Sequence, residues 1–317
     1  MIRWLAREEL DTQKWDTCIE QSKQPMVYAL SWYLDCVAPH WSALVEEREG
    51  RYHTVLPLPE DRRWGICYLK HPFFAQQLGF FSIEPQPRRL AFLEALRPHY
   101  RYVADYCFNT NDADFALPRG NATLQYTHYL DLSPGYSTLR ANYRPDRRHR
   151  LRQAEKRGLP IVESSDLEPL LTMFRQTVAP QIPGGVGEPV YDLLRRLFLE
   201  IKQRELGTLY YALRADGKPG AGAWFVRWQG QIIYLFNAAY AEARHENGRT
   251  HVLDQVIRQH AQTPQYLDFE SAQVPAIADF YSSFGAVAYP FWRWHENRLP
   301  LWINLPKRLL AALPRLR

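Results

Sequence analysis

The chain has 317 residues, of which 46% are hydrophobic and 14% aromatic. This composition suits two ordinary domains or one large domain and excludes general disorder. The formal net charge is +5, and eight basic residues against two acidic ones lie between Arg140 and Arg157, so the basic character belongs to one segment.

Apolar runs are too short for a bilayer span, and Met1-Ile-Arg-Trp-Leu5 is not a secretory hydrophobic segment. We therefore expect a cytoplasmic protein without stable membrane insertion. The four cysteines are widely spaced, and neither they nor the ten histidines have metal-ligand spacing. The sequence thus predicts buried thiols and no metal.

The first half of the chain predicts a mixed succession of short elements. In chain order these are a strand, two helices, three strands, a helix and two strands, at residues 2–5, 12–21, 31–37, 43–47, 52–57, 65–69, 88–96, 102–107 and 124–132. The basic segment that follows predicts a helix, because Pro145 suits a first helical turn and Gly158 suits a helix end.

The second half repeats this order of elements more clearly. A strand and two helices are predicted at 159–163, 167–178 and 190–204, with a Pro- and Gly-rich connection at 180–189. Then come three strands, a helix, a strand, a helix and a final strand, at 208–214, 221–228, 232–237, 248–262, 266–270, a segment ending at 280–285, and 287–295. The shared order predicts a structural repeat, although the halves share no residue pattern.

The passage from strand to helix around Gly248 is the first candidate binding site. An apolar strand ending at Asn237 leads through the polar stretch 244–250 into a helix. Free backbone N–H groups and the positive helix end favour a phosphate or pyrophosphate there. The candidate ligand-binding residues are Asn237, Arg244, Gly248, Arg249 and Thr250. The alternative is a plain helix start capped by Asn247.

The segments 147–162, 267–270 and 280–285 carry a family resemblance: Arg147-Arg-His-Arg-Leu-Arg-Gln-Ala-Glu-Lys-Arg-Gly-Leu-Pro-Ile-Val162, Leu267-Asp-Phe-Glu270 and Phe280-Tyr-Ser-Ser-Phe-Gly285. The chain resembles the bacterial FemAB-like group of the GNAT acyltransferase superfamily. That resemblance implies an α+β fold of two tandem GNAT-like domains, each a mixed, mostly antiparallel sheet flanked by helices. We expect an N-terminal domain without cofactor at 1–135 and a C-terminal domain with the active site at 136–317.

The resemblance also implies acyl or aminoacyl transfer to an amine. Acyl-CoA (acetyl-CoA or longer) is the donor in ordinary GNAT enzymes, and aminoacyl-tRNA is the donor in the branch that acts on cell-wall precursor peptides. Arg244 stands four residues before Gly248, one more than in the usual GNAT loop, and Thr250 occupies the second small position. A noncatalytic binding protein that retains the fold is the third reading.

Three residues are candidates for the chemistry. Tyr281 stands where GNAT enzymes often place the acid that protonates the departing thiolate. Asp268 and Glu270 alternate with Phe269 on a predicted strand, so both carboxylates are expected on one side of the sheet. Either carboxylate is a candidate base, with Glu270 preferred. Alternatively, Tyr281 belongs to an aromatic helix face, and the carboxylates hold a neighbouring arginine or cap the next helix.

Further residues are candidates for substrate contacts. Gly184 and Gly185 belong to the connection that resembles the acceptor lid of GNAT folds, or they lie in a plain surface loop. Arg147 and Arg148 are expected to contact substrate phosphates such as those of tRNA, although the arginines of this segment cannot share one helix face. Alternatively, the arginines of this segment pair with acidic residues of both halves at the domain interface, or they are simply solvated. The basic, leucine-rich tail 305–317 is expected to dock on the second domain rather than on a membrane.

Overall fold

The computed structural model describes residues 1–117, 121–182, 184–271 and 273–300. The chain divides into two compact units. The first contains residues 1–124 together with the segment from 291 onward, and the second contains residues 125–290. This division differs from the predicted ranges 1–135 and 136–317. The tail 305–317 lies outside the described residues.

The first unit has a mixed sheet with helices. Its elements are β1 (Ile2–Ala6), α1 (Thr12–Glu20), α2 (Ser31–Val37), β2 (Trp41–Arg48), β3 (Arg51–Arg63), β4 (Ile66–Lys70), β5 (Phe81–Ser82), α3 (Arg89–Leu96) and β6 (Tyr102–Cys107). The sheet order is β1-β2-β3-β4-β6, with β4 and β6 parallel and the other neighbours antiparallel. Trp15, Tyr33 and Phe92 are fully buried in its core.

The second unit also has a mixed sheet with helices. Its elements are β7 (Ala122–Asp131), α4 (Tyr136–Ala141), α5 (Pro145–Arg157), β8 (Ile161–Ser164), α6 (Glu168–Thr177), α7 (Glu188–Gln203), β9 (Gly207–Leu213), β10 (Pro219–Trp228), β11 (Gln231–Ala239), α8 (Ala241–His245), α9 (Gly248–His260), β12 (Tyr266–Asp268), α10 (Pro275–Ser282) and β13 (Val287–Asn297). The sheet order is β7-β12-β11-β10-β9-β8, and only β11 and β12 are parallel. The predicted α+β fold and the order of its longer elements are confirmed, whereas the short elements β5, α4 and α8 were not predicted.

The chain passes from one unit to the other within two strands. Strand β7 begins in the first unit and continues in the second from residue 125, and β13 leaves the second unit after residue 290. Arg293 and Trp294 of β13 then pair with Cys107 and Tyr106 of β6. The last strand predicted for the second domain therefore contributes its second half to the first unit.

Helices cover both faces of the second sheet. Helix α6 packs on β10 and β11, whereas α9 packs on β9 and β10 and is itself covered by α5. Strand β11 is therefore buried along nearly its whole length, which explains its continuous apolar sequence. Its C-terminal end lies between the first turn of α9 and helix α6, and this is where the candidate site lies.

Candidate functional site

A cavity opens where β11 and β12 part. The two strands pair from Gln231 with Tyr266 to Ile233 with Asp268, where β12 ends, while β11 continues to Ala239. A register shift against β10 leaves Leu235 as an extra residue on β11. The cavity of about 750 Å³ is lined by Asp146, Arg147, Arg150, Phe174, Val178, Gln181, Leu235, Phe236, Asn237, Arg244, Asn247, Arg249, Thr250, Glu270, Val274, Ala276, Ile277, Asp279, Phe280 and Tyr281. Seven residues predicted from the sequence for binding or chemistry are among them.

Tyr281 is held firmly at the wall of this cavity. The side chain is only 4% exposed, and its ring stacks on Phe269 with centroids 4.7 Å apart. Burial raises the pKa of the phenol above its ordinary value, the Arg249 guanidinium opposes this, the Glu270 carboxylate adds to it, and a hydrogen bond with Asn237 lowers it. Tyr281 is therefore a protonated phenol at neutral pH, surrounded by the other predicted groups.

The two candidate carboxylates lie in different environments. Asp268 is 1% exposed, does not line the cavity, and accepts hydrogen bonds from the Thr127 hydroxyl at 2.8 Å and from the backbone N–H of Glu270 at 2.9 Å. Burial raises the pKa of Asp268 to about 6, against the effect of these two donors. Glu270 lines the cavity, and its backbone is left-handed with φ of 45°.

The expectation that both carboxylates face one side of a strand is therefore wrong. Strand β12 ends at Asp268, and the left-handed backbone at Glu270 breaks the alternation on which that expectation rested. Only Glu270 can meet a ligand in the cavity directly. The alternating sequence gave no sign of this break, since left-handed conformations are uncommon outside glycine.

Arg147 is a buried arginine at the cavity wall. Its side chain donates from Nε to Ser283 Oγ at 2.8 Å and from Nη1 to Thr250 Oγ1 at 2.6 Å, and the residue is 5% exposed. The guanidinium carbon lies 4.3 Å from the ring centroid of Phe280. Burial lowers the pKa of Arg147 to about 10, so it stays charged at neutral pH.

Arg249 approaches the same phenylalanine ring from helix α9. Its guanidinium carbon lies 4.6 Å from the Phe280 centroid, and Nη1 donates to Asn237 Oδ1 at 3.3 Å. Within the described ranges, neither Arg147 nor Arg249 has a carboxylate at salt-bridge distance. Buried positive charge without a counterion is costly, so this wall of the cavity favours an anion.

The predicted polar loop before α9 is largely helical. Residues 241–245 form α8, Asn247 is left-handed with φ of 64°, and α9 begins at Gly248. The Asn247 side chain does not cap the helix. In the part of the chain that the structure describes, the N–H groups of Gly248, Arg249 and Thr250 have no acceptor, as expected for a first turn.

Gly248 serves the packing of this helix. A Cβ atom there would lie 3.2 Å from Ala212 Cβ and 3.3 Å from Ala221 Cβ. The missing side chain thus lets α9 approach β9 and β10 closely, while Arg249 and Thr250 line the cavity.

The remaining predicted binding residues divide between the cavity and the surface. Arg244 lines the cavity, whereas Arg148 does not and donates to the carbonyl of Ala141 at 2.9 Å. Gly184 and Gly185 have φ of 88° and 72° in the connection between α6 and α7 and do not line the cavity, although Val178 and Gln181 just before them do.

Sequence reasoning missed Phe280 and Ser283 as partners of Arg147. Their sequence separation from Arg147 exceeds one hundred residues, so no local pattern could identify them. Among the described residues, no three His, Cys, Asp or Glu side chains are placed to hold a metal ion. None of the described helices has the length and apolar character that crossing a bilayer requires.

Comparisons with known proteins find one matching family model and several solved structures with a similar fold. Residues 140–270 match the family model of the acetyltransferase (GNAT) domain. The FemX crystal structure is similar at a TM-score of 0.63 and 12% identity, over 95% of this chain and 98% of FemX. A tandem GNAT protein from the clavulanic acid biosynthesis pathway gives 0.56 and 14%, over 95% and 99% of the two chains.

A GNAT-family acetyltransferase from Colwellia psychrerythraea has a TM-score of 0.54 and 13% identity, over 94% of this chain and 100% of its own. No curated protein matches the chain by sequence. At these identities the structural likeness establishes a shared fold. It also covers nearly the full length of each protein compared.

Proposed function

We propose that this chain, of which residues 140–270 match the GNAT domain model, is an N-acyltransferase that moves an acyl group from acyl-CoA to an amine by direct attack. One observation carries the proposal. The cavity at the parting of β11 and β12 is lined by an amide, a carboxylate and a phenol, on Asn237, Glu270 and Tyr281, beside the first turn of α9. These are the polar groups that an acyl transfer between two bound substrates requires.

The phosphates of the donor are assigned to the first turn of α9. Its N–H groups and the positive helix end attract an anion. Arg147, fixed on Thr250, and Arg244 add positive charge at the same cavity. An anion bound there would relieve the cost of the buried Arg147 charge, which supports a donor that carries phosphate groups.

Glu270 and Tyr281 divide the proton transfers. Glu270 takes one proton from the ammonium of the acceptor, and the free amine attacks the thioester carbon, forming the C–N bond before the C–S bond breaks. Tyr281 gives its proton to the departing thiolate and regains one from the same nitrogen. The products are the N-acyl amine, the free thiol of CoA and one proton, which leaves from Glu270 to solvent.

The acceptor is assigned to the side of the cavity formed by α6. Phe174, Val178 and Gln181 line it there, and the connection that carries Gly184 and Gly185 follows directly. Positive φ values at both glycines permit a backbone that other residues adopt at a cost. We assign this connection as the lid that closes over the acceptor.

Aminoacyl-tRNA remains the second candidate donor, acting on a peptide acceptor. Helix α5 supports it, because Arg152 is exposed, does not line the cavity and has no salt bridge among the described residues. A phosphate backbone would neutralise such a charge with release of counterions. Buried Arg147 would not take part in this contact.

Calorimetry with acetyl-CoA and longer acyl-CoA esters tests the donor. We expect micromolar binding that is weakened by Arg147→Met and unchanged in Arg152→Gln, an exposed control on the same helix. Absence of acyl-CoA binding, with binding of charged tRNA that Arg152→Gln weakens, would replace acyl-CoA by tRNA. Failure of both donors would leave a noncatalytic binding protein.

The chemistry is tested by release of thiol from acetyl-CoA with a panel of amino acids, polyamines and short peptides. Tyr281→Phe and Glu270→Gln are each expected to lower turnover by about 10²-fold or more, as for other acid and base groups. Unchanged turnover in both variants would overturn these two assignments.

A further inference from the structure

The guanidinium of Arg249 lies with the reacting groups rather than with the helix end that bears it. Its backbone belongs to the first turn of α9, but Nη1 donates to Asn237 Oδ1 at 3.3 Å. The Asn237 side chain in turn lowers the pKa of Tyr281. Arg249 also lowers the pKa of Tyr281 and of Tyr234, although burial outweighs it in both phenols.

Two contacts fix Arg249 in this position. The face of Phe280 lies against its guanidinium at 4.6 Å, and Asn237 binds one of its nitrogens. No carboxylate of the described residues is at salt-bridge distance, so its charge is available to a ligand in the cavity. Arg147, not Arg249, makes the contact with the Thr250 hydroxyl in the first turn.

Both guanidinium groups lie against the Phe280 ring, 4.3 Å and 4.6 Å from its centroid, so the two arginines are neighbours. Their other partners differ, because Arg147 binds Thr250 in the first turn of α9 and Arg249 binds Asn237 near the end of β11. Arg147 and the helix turn suit the phosphate end. Arg249, with Asn237 and Tyr281, suits the thioester end.

We propose that Arg249 is a catalytic residue that binds the carbonyl oxygen of the thioester and stabilises the negative charge that develops on it. This inference rests on the proposed function, and it reassigns Arg249 from the phosphates, where the sequence had placed it. As the amine nitrogen bonds to the carbonyl carbon, the π electrons move to the oxygen beside Arg249. They return when the C–S bond breaks and the sulfur takes the Tyr281 proton.

Separate measurements of turnover and donor affinity test this role. Arg249→Gln should lower kcat for thiol release by about 10²–10³-fold, the loss typical of removing one oxyanion-binding group. The dissociation constant of CoA, measured by calorimetry, should stay close to that of the wild type. Arg249→Lys should restore part of kcat, because it keeps the charge.

Matched variants and a spectroscopic signal complete the experiment. Arg147→Met should show the opposite split, with weaker CoA binding and a smaller change in kcat at saturation. The carbonyl stretching frequency of bound acetyl-CoA should rise in Arg249→Gln, because the oxygen loses its positive partner. Thermal unfolding of each variant identifies any that fail to fold. If Arg249→Gln does not fold, Arg249→Lys is compared with the wild type in its place.

Two results would overturn the proposal separately from the proposed function. Weaker CoA binding with unchanged kcat in Arg249→Gln would return this arginine to the phosphates. An unchanged carbonyl frequency and kcat would remove it from the reaction altogether. A wild-type protein that binds no acyl-CoA would instead overturn the proposed function itself, and this inference with it.

Discussion

Asp268 Oδ1 accepts a hydrogen bond of 2.9 Å from the backbone N–H of Glu270, two residues later in the chain. The same oxygen accepts from Thr127 on β7, so the turn after β12 is tied to its neighbouring strand. The turn holds Glu270 left-handed with its carboxylate at the cavity. Backbone strain of this kind persists only where surrounding contacts enforce it, and it clusters at functional sites.

Glycine and alanine at position 270 should differ in stability. A left-handed backbone costs a residue with a Cβ atom roughly 1–2 kcal/mol. In urea unfolding, Glu270→Gly is therefore expected to have a higher free energy of unfolding than Glu270→Ala. The expected difference is about 1 kcal/mol, after allowance for the freer unfolded chain of glycine. Both should lose turnover equally. Equal stability of the two variants would contradict a strained backbone at this position.

Because of Asp268, the free energy of unfolding should rise as the pH falls from 6 to 4. The pKa of this carboxyl is about 6 in the folded protein and 3.8 as the ordinary value. Between those values the folded state binds a proton that the unfolded state lacks, so stability rises as pH falls from 6 to 4. Asp268→Asn lacks this contribution.

Urea unfolding of the wild type and Asp268→Asn, at several pH values between 7 and 4, measures the difference. Relative to the variant, the wild type should gain up to roughly 3 kcal/mol on acidification, at about 1.4 kcal/mol for each unit of separation. Asparagine can still accept from Glu270 and Thr127, which keeps the turn intact. Parallel curves for the two proteins would mean that the carboxyl titrates normally.

Replacing Arg147 by methionine should separate binding from stability. The change removes a buried charge without a carboxylate partner, so the free energy of unfolding is expected to change little or to rise. Loss of its charge-assisted bonds to a donor should weaken CoA binding about tenfold or more. A variant that unfolds much more easily would instead assign Arg147 a purely structural role between Thr250 and Ser283.

Tyr234 offers a stabilising substitution. Its hydroxyl is buried and has no hydrogen-bond partner among the described residues. Tyr234→Phe is therefore expected to increase the free energy of unfolding by about 1 kcal/mol. Tyr211→Phe is the control, because its hydroxyl donates to Asp166 and accepts from Leu170, and that variant should lose stability. A loss of stability in both would mean that Tyr234 has a partner, such as water.

The order of elements could be predicted because it depends on local periodicity. The alternating strands and the apolar stripes of α6 and α7 are readable from neighbours in the sequence. The start of α9 at Gly248 was predicted, but the turn at Glu270 and the left-handed Asn247 between α8 and α9 could not be read in the same way, since neither residue is glycine. At Asn247 a polar stretch suggested a loop where two helices nearly meet.

The candidate site was predicted in part for a similar reason. Glu270 and Arg249 were named from a strand end and a helix start, Tyr281 was named from the family resemblance, and all three line the cavity. The environment of Arg147 could not be found, because a basic segment gives no sign of which arginine turns inward. Its partners Thr250 and Ser283 come from elements far along the chain.

The route of β13 has a consequence for synthesis. Its second half completes the pairing of β6, yet the ribosome makes it only after all of residues 125–290. During translation the second unit can therefore fold around its cavity while β6 still exposes unpaired backbone groups. Strand edges left open in this way are prone to pair with other chains. The first unit, although its N-terminal residues are synthesised first, therefore cannot complete its β6 edge until the second half of β13 has been made.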